Sequence, residues 1–298
     1  MISIVIRSKN ERRYISEVLS AILAQDDPEE FEILVVDSGS SDGTQEAVRG
    51  FPVQLTEIPS EQFSFGYALN LGAKLAHGRI VVYLSAHCSP TTHEWLRRLV
   101  EPLRSDPKLV ATYGRQEPRK GMNPFEESGL HEAFPQDREQ PPRASFSNAS
   151  CAVWRVVLLA APFDEKLTSS EDLVWRMKFE SEEVAYVPEA SVFHSHPIDL
   201  RYWAQRFERD GIATTTMQRD YGIFNPYVQA DTSFVGSVRS FLRGCSHRFS
   251  YFISEGYFRF LPLVPLFEAV RVWSIARGLR RGKLVAANRL ELKNRVTL

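Results

Sequence analysis

The chain has 298 residues, 43% of them hydrophobic and 24% charged, with a formal net charge of -1. These values exclude a disordered, collagen-like or disulfide-built chain and argue against a nucleic-acid binder. Cys88, Cys151 and Cys245 are few, odd in number and far apart, so they read as reduced thiols, and no CxxC pair suggests structural zinc.

Ile2–Ile6 is a short run rich in β-branched residues, which predicts a buried strand. No basic segment precedes it and no long apolar stretch follows, so it does not read as a signal peptide. A helix is predicted from about Glu11 to Ala24, with Ile15, Val18, Leu19, Ile22 and Leu23 on one face. Phe31–Val36 reads as the second strand, Val53–Ile58 as the third and Arg79–Leu84 as the fourth. Helices are predicted at Tyr67–Leu75 and from about Thr92 to Leu103, and a strand near Leu109–Tyr113. Alternation of this kind predicts an α/β fold, a mostly parallel sheet with helices on both faces.

Ligands of such sheets bind outside the carboxyl ends of the strands. Three polar segments fall there: Arg7-Ser8-Lys9-Asn10-Glu11, Asp37-Ser38-Gly39 and Ser85-Ala86-His87-Cys88. No GxGxxG follows the first strand and no GxxxxGK[ST] is present, which disfavours a dinucleotide fold and a P-loop.

Ser3–Glu11, Glu32–Thr44 with its Asp37-Ser38-Gly39-Ser40-Ser41-Asp42-Gly43 core, Ser170-Glu171-Asp172-Leu173-Val174-Trp175 and Val187–His196 resemble, in order, the motifs of the family-2 glycosyltransferases. The resemblance implies a GT-A-type fold over residues 1–232 and an inverting transfer of sugar from a nucleoside-diphosphate donor to a hydroxyl of a glycan or lipid-linked acceptor. Phe63–Gly72, Gly114-Arg115-Gln116, Phe146-Ser147-Asn148-Ala149 and Arg201–Gly211 look like a rhamnosyltransferase-type branch, implying a 6-deoxyhexose donor. The family carries an Asp-x-Asp after the fourth strand to hold a divalent ion. Ser85-Ala86-His87 stands there instead. Imidazole suits Mn²⁺ or a softer ion better than Mg²⁺, and it can also donate to a phosphate with no metal present.

The reaction needs a general base for the acceptor hydroxyl and positive charge for the leaving diphosphate. Asp172 is the base candidate and Glu171 the second; the alternative is that both are first-turn acids of a helix capped by Thr168 or Ser169. Ser8, Glu11, Asp37, Asn70, Ser85, His87 and Arg115 are candidate donor contacts, Asp37 toward the base of the nucleotide. Each has a plainer reading: Asp37 in an Asx-turn, Glu11 in a helix start, Asn70 capping its own turn, Arg115 pairing with a surface acid. Asn148 and Trp175 are candidate acceptor contacts. His194 and His196 lie two apart on an extended segment, so both rings can face one site; the resemblance implies that one of them approaches the diphosphate and makes them, with His87, the candidate metal ligands, against the plainer reading that the pair is structural.

The segment Gly114–Pro142 lacks periodicity and reads as an acceptor-side loop. From residue 233 the composition changes. Arg239–Lys283 holds nine Lys/Arg against Glu255 and Glu268, interleaved with Phe252, Tyr257, Phe258, Phe260 and Trp273. Residues 233–298 therefore read as a helical region on an anionic membrane surface, or as an appendage packed on protein. With no stretch of ~18 apolar residues to span a bilayer, the expected location is cytoplasmic, peripheral on the inner face of the cell membrane. The lost Asp-x-Asp keeps a second reading open, a non-catalytic relative that binds sugar nucleotide or glycan.

Overall fold

The computed structural model describes residues 1–26, 30–137, 141, 145–225, 228 and 233–296, with side chains as far as residue 284. The chain forms two compact units, Met1–Lys166 with Glu171–His196, and Leu167–Ser170 with Pro197–Leu298.

The first unit is built on one sheet. Its strands are β1 (Ile2–Ser8), β2 (Phe31–Asp37), β3 (Gln54–Glu57), β4 (Ile80–Ser85), β5 (Ser89–Pro90), β6 (Ala111–Glu117), β7 (Ser150–Trp154) and β8 (Val184–Phe193). They lie in the order β3-β2-β1-β4-β7-β6-β8-β5. The pairs β3-β2, β2-β1, β1-β4 and β6-β8 are parallel, whereas β7 runs antiparallel to both β4 and β6 and β5 to β8. The expected mostly parallel α/β sheet is present. Its antiparallel insertion comes from β7, too short and mixed in sequence to read as a strand.

Successive strand residues face opposite sides. Ile4, Ile6, Val82 and Leu84 pack with Val18 and Leu19 of α1 (Ile15–Leu23) and Trp95 and Leu99 of α4 (Trp95–Ser105). Val5, Val81 and Tyr83 pack on the other face with Leu69 and Ala73 of α3 (Phe65–Leu75). Apolar burial on both faces explains why β1 and β4 read as continuous hydrophobic runs.

The aperiodic segment after β6 is not all loop. It contains α5 (Pro124–Ala133), begun by proline in the first turn with Glu126 and Glu127 beside it. Both glutamates, Ser128, Phe125 and Leu130 are all buried, so polar and apolar residues share the inner side and the helical pattern is blurred. Residues 138–140 and 142 of that segment lie outside the described residues.

The second unit contains α8 (Leu200–Tyr221), α9 (Phe234–Ser254) and α10 (Val264–Val296). Helix α8 packs along α10, where a Cβ on Gly278 would meet the Glu208 carbonyl oxygen at 2.1 Å. Along the chain the second unit takes up from Pro197, and residue 232 at the expected boundary 232/233 lies outside the described residues. Glu268 is fully buried between Arg248 at 2.6 Å and Arg271 at 2.7 Å. Phe252, expected at a lipid surface, is also fully buried and packs edge-on against Tyr257 and Phe260. Phe258 and Trp273 are exposed.

Candidate active site

The loops after β1 and β2 are laced together. Asn10, at φ +57°, accepts from the Ser41 amide at 2.9 Å, and its own amide donates to Ser40 Oγ at 2.8 Å. The Glu11 amide donates to Thr44 Oγ1 at 2.8 Å. Asp37 is fully buried and accepts from the Ser40 amide, Ser40 Oγ and Gln45 Nε2 at 2.9, 2.5 and 2.8 Å. Gly39 follows at φ +75°, where a side chain would be strained and would strike Ser60 Oγ. The Asp37 carboxylate orders the loop, taking the backbone amide three residues on rather than the two of an Asx-turn.

Three imidazoles meet beyond β4. Ser85 ends that strand, and a turn closed by the Cys88 amide on the Ser85 carbonyl at 2.9 Å presents His87. His194 and His196 leave the end of β8 on the same side, and the ligand atoms of all three rings lie within 4.8 Å of one another. Each ring is gripped from behind through Nδ1. Glu11 Oε1 accepts from His87 at 2.8 Å, Gln116 Oε1 from His194 at 2.5 Å and Glu126 Oε1 from His196 at 2.8 Å. Glu126 Oε2 also accepts from the His196 amide at 2.9 Å. A carboxylate or amide oxygen only accepts, so each Nδ1 donates and Nε2 is the ring atom turned toward the other imidazoles. Nε2 of His87 and of His194 are 3.2 Å apart. At that distance the two nitrogens can share one proton or one cation.

The acidic pair lies beside this cluster. β7 runs antiparallel to β4, so its beginning adjoins the end of β4, and the Ser85 amide donates to the Ala149 carbonyl at 3.1 Å. Asn148, buried just before β7, reaches both acids: its amide donates to Asp172 Oδ2 and its Nδ2 to Glu171 Oε1, each at 3.4 Å. Glu171 and Asp172 open α7 (Glu171–Arg176). Removal from water, then the neighbouring Glu171 charge, pushes the Asp172 pKa up to about 7; the Leu173 amide, the Arg7 guanidinium and the Asn148 amide pull the other way. Ser169 Oγ, a capping candidate, donates to Asp210 at 3.1 Å.

Residues 3–160, more than half of the chain, match the family described as Glycosyl transferase family 2. The chain belongs to this family. Glycosyltransferase AglE of Haloferax volcanii is 36% identical over 107 residues, 34% of this chain and 35% of that protein. The O-antigen chain rhamnosyltransferase RfbN of Salmonella typhimurium is 27% identical over 209 residues, 64% of this chain and 66% of that protein. The match thus spans less than two thirds of either relative. The mannosyltransferase PcManGT from Pyrobaculum calidifontis, solved with GDP-Man and Mn²⁺, aligns with a TM-score of 0.61 at 17% identity, over 94% of this chain and 86% of that one. That likeness shows a GT-A-like fold.

Among family-2 features expected from sequence, several residues do not converge here. Asn70 is spent on a staple: its Nδ2 donates to the Phe163 carbonyl at 3.0 Å and Glu165 Oε1 at 2.9 Å, and its Oδ1 accepts from the Phe163 amide at 3.0 Å. Arg115 pairs with Glu117 at 3.5 Å, the surface-acid reading, leaving the donor role without support. Trp175 is fully buried, stacks on Phe146 at 5.3 Å and donates Nε1 to the Ala161 carbonyl at 2.7 Å, so it is core rather than an acceptor contact. Asn148 positions the acids instead of standing free for an acceptor.

Other groups at the edge do have unused capacity. Ser8 Oγ, Ser38 Oγ and Arg7 Nε are buried without a partner. Orphans at the ends of β1 and β2 fit a polar ligand that completes them. Arg7, Ser38 and Gln116 lay inside segments marked from sequence without being given a role, whereas Glu126 was not marked, and Gln116 and Glu126 depend on folding to reach the histidines. The three-imidazole set fits a divalent ion of the Mn²⁺-to-Zn²⁺ kind better than Mg²⁺, which prefers oxygen.

Proposed function

We propose that this chain is an inverting glycosyltransferase that moves a sugar from a nucleoside-diphosphate donor to a hydroxyl of a glycan or lipid-linked acceptor in cell-surface polysaccharide synthesis. The observation that carries this reading is the placement, on one sheet edge, of a carboxyl tuned to about pH 7 beside three outward-braced imidazoles. Asp172 accepts the proton of the acceptor hydroxyl as that oxygen attacks the anomeric carbon from the face opposite the diphosphate. Asn148 and Arg7 keep its charged form accessible. Ser8 and Ser38 offer hydroxyls to the donor, and the loop ordered by Asp37 shapes the end that meets its base. His87, His194 and His196 hold the divalent ion, with Glu11, Gln116 and Glu126 behind them. An ion held there supplies positive charge to the leaving diphosphate.

The donor reading is a 6-deoxyhexose such as rhamnose, supported by RfbN and by WbaN of Salmonella anatum, 25% identical over 208 residues. Among the described residues no helix is long and apolar enough to cross a membrane. The working position we propose is cytoplasmic, on an anionic inner membrane face. A panel of nucleotide sugars with isotope-labelled hexoses tests the transfer and the donor reading together. Transfer with an inverted anomeric centre and release of nucleoside diphosphate supports the reading. Tight donor binding with no turnover on any acceptor fraction would favour the non-catalytic alternative.

A further inference from the structure

Helices α9 and α10 enclose a groove of about 520 Å³. Phe241, Val272 and Trp273 give it apolar walls, and Arg277, Arg280 and Arg281 line one end. No acid lines it. Trp273 is 61% exposed, and the outer face of α9 continues the apolar surface with Phe234, Val238 and Leu242. Apolar side chains on a solvent face, beside a tryptophan and cations, mark an interaction surface rather than a fold requirement.

The arginines of this unit divide into two kinds. Arg248 and Arg271 turn inward and neutralise the buried Glu268. Arg277 and Arg281 both lean on Glu208, at 3.3 and 2.5 Å, yet remain about half exposed. Arg280 is exposed, and among the described residues no acid pairs with it. One carboxylate thus faces three guanidiniums, and the groove end keeps a positive excess. A second copy of the chain would bring the same cationic end to itself. A phosphodiester with an attached acyl chain matches both halves: guanidinium for the phosphate, apolar walls for the chain.

We propose that this groove binds one anionic membrane phospholipid, its phosphate at Arg277, Arg280 and Arg281 and its acyl chain along Phe241, Val272 and Trp273. The proposal rests on the membrane position given above and sharpens it from a surface attraction to a defined site.

The test uses the full chain with vesicles of phosphatidylcholine alone or mixed with phosphatidylglycerol, the acyl chains brominated to quench nearby tryptophan. Binding is expected only to the anionic vesicles, with quenching that disappears in Trp273→Phe. Arg280→Gln should weaken binding about fivefold, the usual contribution of one cation near such a surface. Ala276→Phe fills the groove and should abolish quenching while salt-sensitive adsorption persists. Trp273→Phe and Arg280→Gln change exposed residues, so they report even if the filled variant fails to fold. Adsorption to anionic vesicles without Trp273-dependent quenching overturns the groove and leaves the membrane position standing. No adsorption to either vesicle overturns both.

Discussion

The two halves of the candidate site are held in opposite ways. Each imidazole is fixed by a strong acceptor on a different element, Glu11 before α1, Gln116 on β6 and Glu126 on α5. Asp172 is held loosely, by amides at 2.9 Å from Leu173 and 3.4 Å from Asn148, and its main perturbation is loss of water. The contrast separates two jobs. A cation site gains from rigid, correctly protonated rings. A general base gains from a pKa near working pH, which desolvation supplies and strong hydrogen bonds would remove.

The largest effect should come from breaking the base half. Asp172→Asn keeps the shape and cannot accept a proton. Turnover should fall ~10²–10⁴-fold, with donor affinity nearly unchanged. Steady-state kinetics together with donor titration measure both, and a variant that keeps half of wild-type turnover removes Asp172 from the reaction.

The cation half predicts a smaller and different loss. Glu126→Ala leaves all three imidazoles in place but frees His196 Nδ1. Metal affinity should drop about 10–100-fold, read by calorimetry on the protein without donor. The wild type should bind Mn²⁺ more tightly than Mg²⁺. Equal affinity for the two ions, or an unchanged Mn²⁺ affinity in the variant, would show that the histidine cluster is structural.

Sequence made one of these halves far more legible than the other. Glu171-Asp172 sits in a short contiguous motif, and its neighbours in the chain suffice to mark it. The histidine cluster needed pieces from residues 11, 87, 116, 126, 194 and 196. His87 stood where the Asp-x-Asp was gone and was already grouped with His194 and His196, but its bracing by Glu11, Gln116 and Glu126 around the cluster came only from β8 returning beside β6. Glu126 was hidden by α5, whose buried polar residues erase the periodicity that identifies a helix. Asn70 and Trp175 failed for the reverse reason. Their types suit a binding site, but packing against residues about 90 and 14 positions away consumes them. The strands and flanking helices were readable because burial on both faces writes itself into local composition.

A third test follows from the pKa of Asp172. A base must be ionised to act, and burial raises its pKa from the ordinary value of 3.8 to about 7. The rate should therefore be full above pH 7 and fall about tenfold per unit below it. The acidic limb of kcat/KM locates this group in the free enzyme. A limb near pH 4 would mean that the working base is not desolvated and is not Asp172 as placed here.

The finest test asks which neighbours set that limb. Glu171 raises the Asp172 pKa by its negative charge, and Arg7 lowers it by its positive one, each less than desolvation does. Glu171→Gln removes a repulsion, so the limb should move to lower pH. Arg7→Gln removes an attraction, so it should move to higher pH. Both shifts should be about a pH unit or less, because the desolvation that dominates is untouched. Maximal turnover at high pH should survive Glu171→Gln, since Asp172 remains able to take the proton. That last point decides between the two acids. If Glu171 is the base, its amide variant loses turnover at every pH instead of shifting the limb. The opposed movement of the two variants is also hard to imitate by loss of structure, which would lower the whole profile without displacing its pH dependence in opposite directions.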